Sequence, residues 1–154
     1  KIRYIIAGEG EERPLLENLV KSLNISKNVI FIGSINDDQK KYILNKTDLM
    51  IMPTLDETKK LSIEGFGISY IEAALFGIPS IASNVGGTQE AVLHNETGII
   101  INNLDKLETA ISDLIGNETK MKHLGEKAKK RAETQLSWAT IVKDYEKLIA
   151  EIIL

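Results

Sequence analysis

The sequence predicts an α/β fold: a Rossmann-like, doubly wound parallel sheet with C-terminal helices. Three observations carry that reading. Short runs of β-forming apolar residues recur along the first two thirds of the chain and close on glycine or proline. Segments with helical spacing of apolar residues separate them, an alternation that favours parallel strands joined by crossover helices. The last third repeats Leu, Ile and Ala among Lys and Glu at helical spacing.

The elements follow in order. Ile2 to Ala7 is rich in β-formers and ends at Gly8-Glu9-Gly10, the pattern of a buried strand. Pro14 to Leu23 sets Leu15, Leu16, Leu19, Val20 and Leu23 at helical spacing, with Pro14 suited to the first turn. Val29 to Ile32, stopped by Gly33, is a second strand. Asp37 or Asp38 can cap a helix running to about Lys46. Leu49 to Met52 is a third strand, stopped at Pro53, and a polar loop follows from Thr54 to Ser62. A helix is expected from near Gly67 to Phe76, with Gly77 as its stop. Pro79 to Ala82 and Gly98 to Ile101 complete the strands, and helices fill the remainder to Leu154.

Composition narrows the function classes. The chain has 154 residues, 43% apolar and 27% charged, which suits one soluble globular domain. A net charge of −3 supplies no electrostatic footprint for nucleic acid or an anionic membrane. The absence of cysteine excludes a disulfide framework, a thiolate nucleophile and a zinc–thiolate site. His94 and His123 lack metal-ligand spacing and read as surface or loop residues without chemistry. No apolar run reaches the roughly 20 residues that span a bilayer, and no signal peptide is visible. The first residue is Lys1 rather than Met, so a domain truncated at its N-terminus is expected.

The chemistry concentrates in Glu64-Gly65-Phe66-Gly67-Ile68-Ser69-Tyr70-Ile71-Glu72-Ala73-Ala74. A glycine-rich loop here runs into a helix, whose first N–H groups and macrodipole favour an anion. Gly65 and Gly67 remove side chains that would keep a phosphate from the backbone. Glu64 before the helix and Glu72 within it can accept hydrogen bonds from sugar hydroxyls on either side of that phosphate. An acidic residue holding a ribose diol is a familiar solution in dinucleotide folds. Two glycines before a helix are also common in α/β folds, and glutamates are mostly solvated, so this stretch alone leaves the bland reading open.

The ordered set of landmarks is more specific. Ile6-Ala7-Gly8-Glu9-Gly10, Val29-Ile30-Phe31-Ile32-Gly33 and Pro53-Thr54 precede the Glu64 to Glu72 stretch. Gly77-Ile78-Pro79, Gly86-Gly87-Thr88-Gln89-Glu90, Thr97-Gly98 and Leu136-Ser137-Trp138 follow it. Over essentially its whole length the chain resembles the C-terminal domain of retaining GT-B glycosyltransferases of family 4. Their hallmark is a Glu, seven residues and a second Glu, matched here by Glu64 and Glu72.

The resemblance implies a donor-binding half, residues 1–154, of a two-domain enzyme that moves a sugar from a nucleoside diphosphate sugar to a glycan, lipid or other acceptor. It implies that Glu64 bonds the donor sugar as the catalytic residue. Backbone N–H groups from Phe66 through Gly67 and Ile68 to Ser69, with Gly65, would hold the diphosphate, and Glu72 the ribose hydroxyls. The loop Gly33, Ser34 and Ile35 would lie against the nucleobase. Gly8 and Gly10 would line the cleft floor, or equally form a tight strand-to-helix turn. Gly86 and Gly87 read first as a turn near the cleft. Glu90 either caps the following short helix or touches the site. Trp138 reads as a packing anchor opening the last helix, which in this architecture crosses back towards the partner domain. No cofactor and no metal are expected, and Asp37-Asp38 reads as structural rather than as a metal motif.

Two departures stand out. The loop Thr54 to Ser62 is longer than the family's usual link, and Lys59 and Lys60 within it read as solvated, with phosphate contact the sharper alternative. A complete member would also carry, upstream of Lys1, an acceptor domain and a strand–helix unit with a Gly-Arg and a Lys-Gly motif. That strand would lie between those beginning near Ile2 and Leu49, and its Arg and Lys would neutralise the leaving diphosphate. The fragment alone is therefore expected to be inactive. The full enzyme is expected in the cytoplasm, with any membrane contact made through the absent half. A non-catalytic nucleotide-sugar-binding module, or another GT-B enzyme such as an epimerase, is the competing reading.

Overall fold

The computed structural model describes residues 2–55 and 64–153, so Lys59 and Lys60 lie outside the described residues. The chain divides into two compact units, residues 1–43 and 44–154.

The first unit is built from β1 (Tyr4–Ala7), α1 (Arg13–Ser22), β2 (Val29–Gly33) and α2 (Asp37–Leu44). The two strands pair in parallel, Tyr4 opposite Val29 and Ala7 opposite Gly33, with one irregularity between Ile6 and Ala7. β1 is not the buried strand that its composition suggests. Tyr4 and Ile5 are exposed, as are Leu15, Leu16 and Leu19 on α1. A two-stranded sheet with two short helices has too little surface of its own to cover these side chains.

α2 corrects the capping assignment. Asn36, rather than Asp37 or Asp38, caps the helix: its side chain accepts from the Gln39 N–H, and the Gln39 side chain accepts from the Asn36 N–H, both at 2.9 Å. This is a capping box. Asp37 and Asp38 instead lie in the first turn, where their charge complements the macrodipole. Replacing Asn36 with Ala should cost about 1 kcal/mol of stability, read as a lower denaturation midpoint.

The second unit holds β3 (Met50–Met52), α3 (Ile68–Leu75), β4 (Ser80–Ser83), α4 (Thr88–Ala91) and β5 (Gly98–Ile101). A 3-10 turn at Leu104–Lys106 then leads into α5 (Leu107–Ile115), α6 (Glu118–Thr134) and α7 (Trp138–Ile153). The strands form a parallel sheet in the order β3-β4-β5. Central β4 is buried at every residue, as the sequence leads one to expect of a parallel sheet covered on both faces. Ile81 packs with Ile101, Leu114 and Leu124 on one face; Ala82 packs with Tyr70, Ala91 and Val92 on the other.

Small residues bring α3 and α6 together: Ala74 meets Ala128 and Ala132. α3 ends as the sequence predicts. Gly77, at φ +74°, donates to Ala74 O at 2.8 Å, and Ile78 donates to Ala73 O at 3.2 Å, the two bonds of a Schellman motif. Against this turn sits Gly125 of α6, where a Cβ would run into the Gly77 carbonyl oxygen and come within 3.2 Å of Pro79.

Trp138 opens α7 as expected, but it is not a packing anchor within this chain: it is 80% exposed. Val142, Tyr145, Ile149 and Ile152 continue the exposure at helical spacing, so α7 presents an apolar stripe. Among the described residues no helix is long and apolar enough to cross a membrane.

Candidate functional site

In the second unit, the loop ahead of α3 and the helix itself carry most of the singled-out residues. Gly67 is the N-cap of α3 with φ +87° and ψ +63°, a left-handed conformation that suits glycine. It has no side chain with which to cap, and no acidic residue occupies the first turn. Helix geometry leaves the N–H groups of Ile68 and Ser69 without intrahelical acceptors. The Tyr70 N–H turns back to Gly67 O at 2.9 Å. The start of α3 thus offers donors and the positive end of the macrodipole, with nothing of its own to satisfy them.

Around that start, Gly65 is exposed, Glu64 and Phe66 are half-buried, and Gly67 is buried. Ile68 points outward and Ser69 is half-buried. Glu72 lies one turn further on, half-buried, so the two carboxylates stand before and after the helix start. Phe66 packs against the cluster of Tyr70, Ala82, Ala91 and Val92.

The turn after β4 closes on the same loop. Gly86 has φ +57° and makes the turn, whereas Gly87 has an ordinary φ of −88° and donates its N–H to Glu64 O at 3.2 Å. Glu90 neither precedes nor caps α4; it lies exposed inside it, and its carbonyl accepts from Arg131 Nη2 at 2.6 Å. His94 is exposed, and its Nδ1 accepts from the Ile100 N–H at 3.0 Å, a structural role.

Sequence reasoning passed over Tyr70. It is 1% exposed, and its hydroxyl donates to Met52 O, at the end of β3, at 2.6 Å. Burial pushes the phenol above its ordinary pKa; a hydrogen bond with Thr54 opposes the shift and the charge of Glu64 adds to it. An aromatic residue three positions after a helix-opening glycine was the available signal, because such a side chain leans back over the preceding turn.

In the first unit, Gly8 (φ +124°) donates to Gly33 O at 2.8 Å, which joins two of the singled-out glycines at the ends of β1 and β2. A Cβ at Gly8 or Gly10 would meet open space, and Gly10 O accepts from the Arg13 N–H at 3.2 Å as the chain turns into α1. Gly33 is buried at φ +66°, and a Cβ there would crowd Glu9 and Arg13. Arg13 bridges Glu9 and Glu17 at 2.7 and 2.8 Å, which raises its pKa, and lies over the Phe31 ring. Ser34 is exposed. Ile35 lines an open concavity of about 540 Å³ with Ile32, Asp38, Gln39, Tyr42 and Ile43.

The chain is similar to known proteins. The N-acetyl-alpha-D-glucosaminyl L-malate synthase of Bacillus anthracis is 30% identical over 155 residues, covering 98% of this chain and 38% of the relative. The GDP-mannose-dependent alpha-(1-6)-phosphatidylinositol monomannoside mannosyltransferase of Mycobacterium tuberculosis is 27% identical over 139 residues, 89% of this chain and 36% of the relative. Among solved structures, Anabaena HepE in complex with UDP matches with a TM-score of 0.79 at 22% identity, over 97% of this chain and 41% of that one. The chain thus spans a little over a third of the length of the curated relatives it matches. Its parallel sheets and flanking helices are the Rossmann-like α/β architecture of GT-B glycosyltransferases. Since the model of the family "Glycosyl transferases group 1" matches residues 1–131, this chain belongs to that family, as a C-terminal domain.

Proposed function

We propose that this chain is the donor-binding part of a retaining, family 4 glycosyltransferase that moves a sugar from a nucleoside diphosphate sugar to an acceptor. The observation that carries the reading is the start of α3, left-handed at Gly67 and uncapped, with Glu64 before it and Glu72 after it. A diphosphate is the ligand chemistry that such a start suits. In this reading Gly65 and the N–H groups from Phe66 to Ser69 hold the diphosphate, Glu64 bonds the transferred sugar and Glu72 accepts from the ribose hydroxyls. The assignments of Gly33, Ser34 and Ile35 to the nucleobase, and of Gly8 and Gly10 to the cleft floor, rest on the family resemblance. So do retention, independence of metal, and a cytoplasmic location.

The relatives' names support the substrate class: one is a GDP-mannose-dependent transferase, and HepE was solved with UDP. Because the chain spans only part of its relatives, the cationic groups that neutralise the leaving diphosphate and the acceptor site belong, in this proposal, to the remainder of the protein. The chain by itself then lacks the electrostatic part of catalysis. The α7 stripe from Trp138 to Ile152 suits an apolar partner surface, and an acceptor domain in the same protein is the proposed partner.

Donor binding tests the proposal. In the full-length protein, one of UDP-, GDP- or ADP-sugar should bind saturably. Glu72→Gln should weaken that binding about 10- to 100-fold, the loss of a charge-assisted hydrogen bond. A folded full-length protein that binds none of the three would overturn the reading.

A further inference from the structure

Resting on the donor-site reading, we propose that Gly87 and Tyr70 are positioning residues: they hold the Glu64–Gly67 loop in the one shape that presents its carboxylate and its N–H groups to the donor. The loop has glycine at two of four positions and so has little stiffness of its own. Its order must come from its neighbours, and two of them meet its backbone directly.

Gly87 meets the loop from the side. Its φ of −88° is open to any L-residue, so backbone conformation does not require glycine there. Space does: a Cβ on residue 87 would overlap the Gly65 carbonyl oxygen and come within 3.5 Å of Phe66 Cα. The neighbouring Gly86, at φ +57°, is the glycine that the turn itself needs. The contact also places the Gly87 N–H on Glu64 O.

Which side would yield to an added methyl group follows from what anchors each. Behind Gly87, the fully buried Thr88 donates its hydroxyl to Ser83 O at 2.5 Å and accepts from the Val85 N–H at 3.3 Å. Arg131 then holds the far end of α4, donating to Ala91 O at 2.8 Å and to Glu90 O at 2.6 Å. The turn is fixed by side chains that reach it from two directions; the glycine-rich loop is the softer partner and moves.

Tyr70 meets the loop from below. Its ring lies where a Cβ on Gly67 would stand, 2.5 Å from the ring's Cδ2, so ring and glycine fit only together. Its hydroxyl ties α3 to the end of β3 through Met52 O. Phenylalanine would fill the same volume and lose only the hydroxyl's bonds, to Met52 O and with Thr54. The pair therefore separates two variants, one that pushes the loop and one that loosens the helix beneath it.

The test uses the full-length protein with Gly87→Ala and Tyr70→Phe, and Leu114→Ala as a control that weakens the core away from the loop. Hydrogen exchange of the 64–69 amides should speed up at least tenfold in Gly87→Ala and severalfold in Tyr70→Phe, and not in the control. The donor KM should rise about tenfold or more in Gly87→Ala and about threefold in Tyr70→Phe, with the acceptor KM unchanged. Unaltered loop exchange together with wild-type donor KM in both variants would overturn the proposal and leave these residues merely structural. If Gly87→Ala does not fold, Tyr70→Phe decides by the same two readouts. Should the wild type bind no nucleotide sugar, the donor reading falls, and loop exchange alone decides whether the two residues hold the loop.

Discussion

Under the proposed function, replacing Glu64 with Gln in the full-length protein should lower kcat by about two orders of magnitude while the donor KM changes by no more than a few-fold. Gln keeps the shape and hydrogen-bonding reach of the side chain but removes its charge. Glycosyl transfer develops positive charge on the sugar as the bond to the leaving diphosphate breaks, by analogy with the oxocarbenium-like state of glycoside hydrolysis. A fixed carboxylate at the transferred sugar is worth more in that state than in the ground state, so its loss falls on kcat. Removing one preorganised electrostatic group from an active site costs roughly 10²- to 10³-fold. Steady-state kinetics with saturating acceptor measures it. A kcat within twofold of wild type would strip Glu64 of its proposed role and leave Glu72 as the only carboxylate in the scheme.

Gly125→Ala should strongly destabilise the second unit, costing about 3 kcal/mol, the upper end of ordinary overpacking penalties. Ala is the better helix former, so propensity alone would make the change stabilising. Packing decides the sign. The new methyl group would collide with the Gly77 carbonyl oxygen, a backbone atom at the end of α3, and press on Pro79. No rotamer can relieve a clash with backbone, so α6 must lift away from α3, breaking the contact of Ala128 and Ala132 with Ala74. For a protein of this size the loss corresponds to a fall in Tm of about 10 °C, which a thermal melt would resolve. A Tm within 2 °C of wild type would mean that the two helices part freely.

Much of the fold could be read from the chain because its punctuation is local. β5 begins at Gly98 and ends at Ile101 as expected, and Gly98 is required where a side chain would strike Ser80 O. Gly77 ends α3 through a motif whose signature is the glycine itself. What escaped depended on which of several neighbours a side chain pairs with, or on its exposure in the folded chain. Asn36, Asp37 and Asp38 are three consecutive capping candidates, and the reciprocal bond from Gln39 selects the first of them. Trp138 reads as an anchor because tryptophans seldom stand in solvent, yet among the described residues it is 80% exposed.

In the candidate site, the two carboxylates and the glycines at the helix start were visible as a motif. The difference between Gly86 and Gly87 was not: one glycine is there for its φ and the other for its lack of volume, and adjacent letters cannot show which. Tyr70 was hidden for a related reason. Its hydroxyl partner, Met52 O, lies 18 residues away in the sequence.

The glycine and alanines on one face of α6 have a consequence for descent. Gly125 sits against the end of α3, Ala128 and Ala132 against its side, and Arg131 reaches from the same helix to the carbonyls that end α4. One helix thus braces both elements that flank the glycine-rich loop while contributing no atom to that loop. Along a lineage, those four α6 positions should drift least, while the exposed face of the same helix, Lys122, Glu126 and Lys129 among it, drifts freely. Under the proposed function, a new donor preference would then arise through changes in loops, with this brace inherited unaltered.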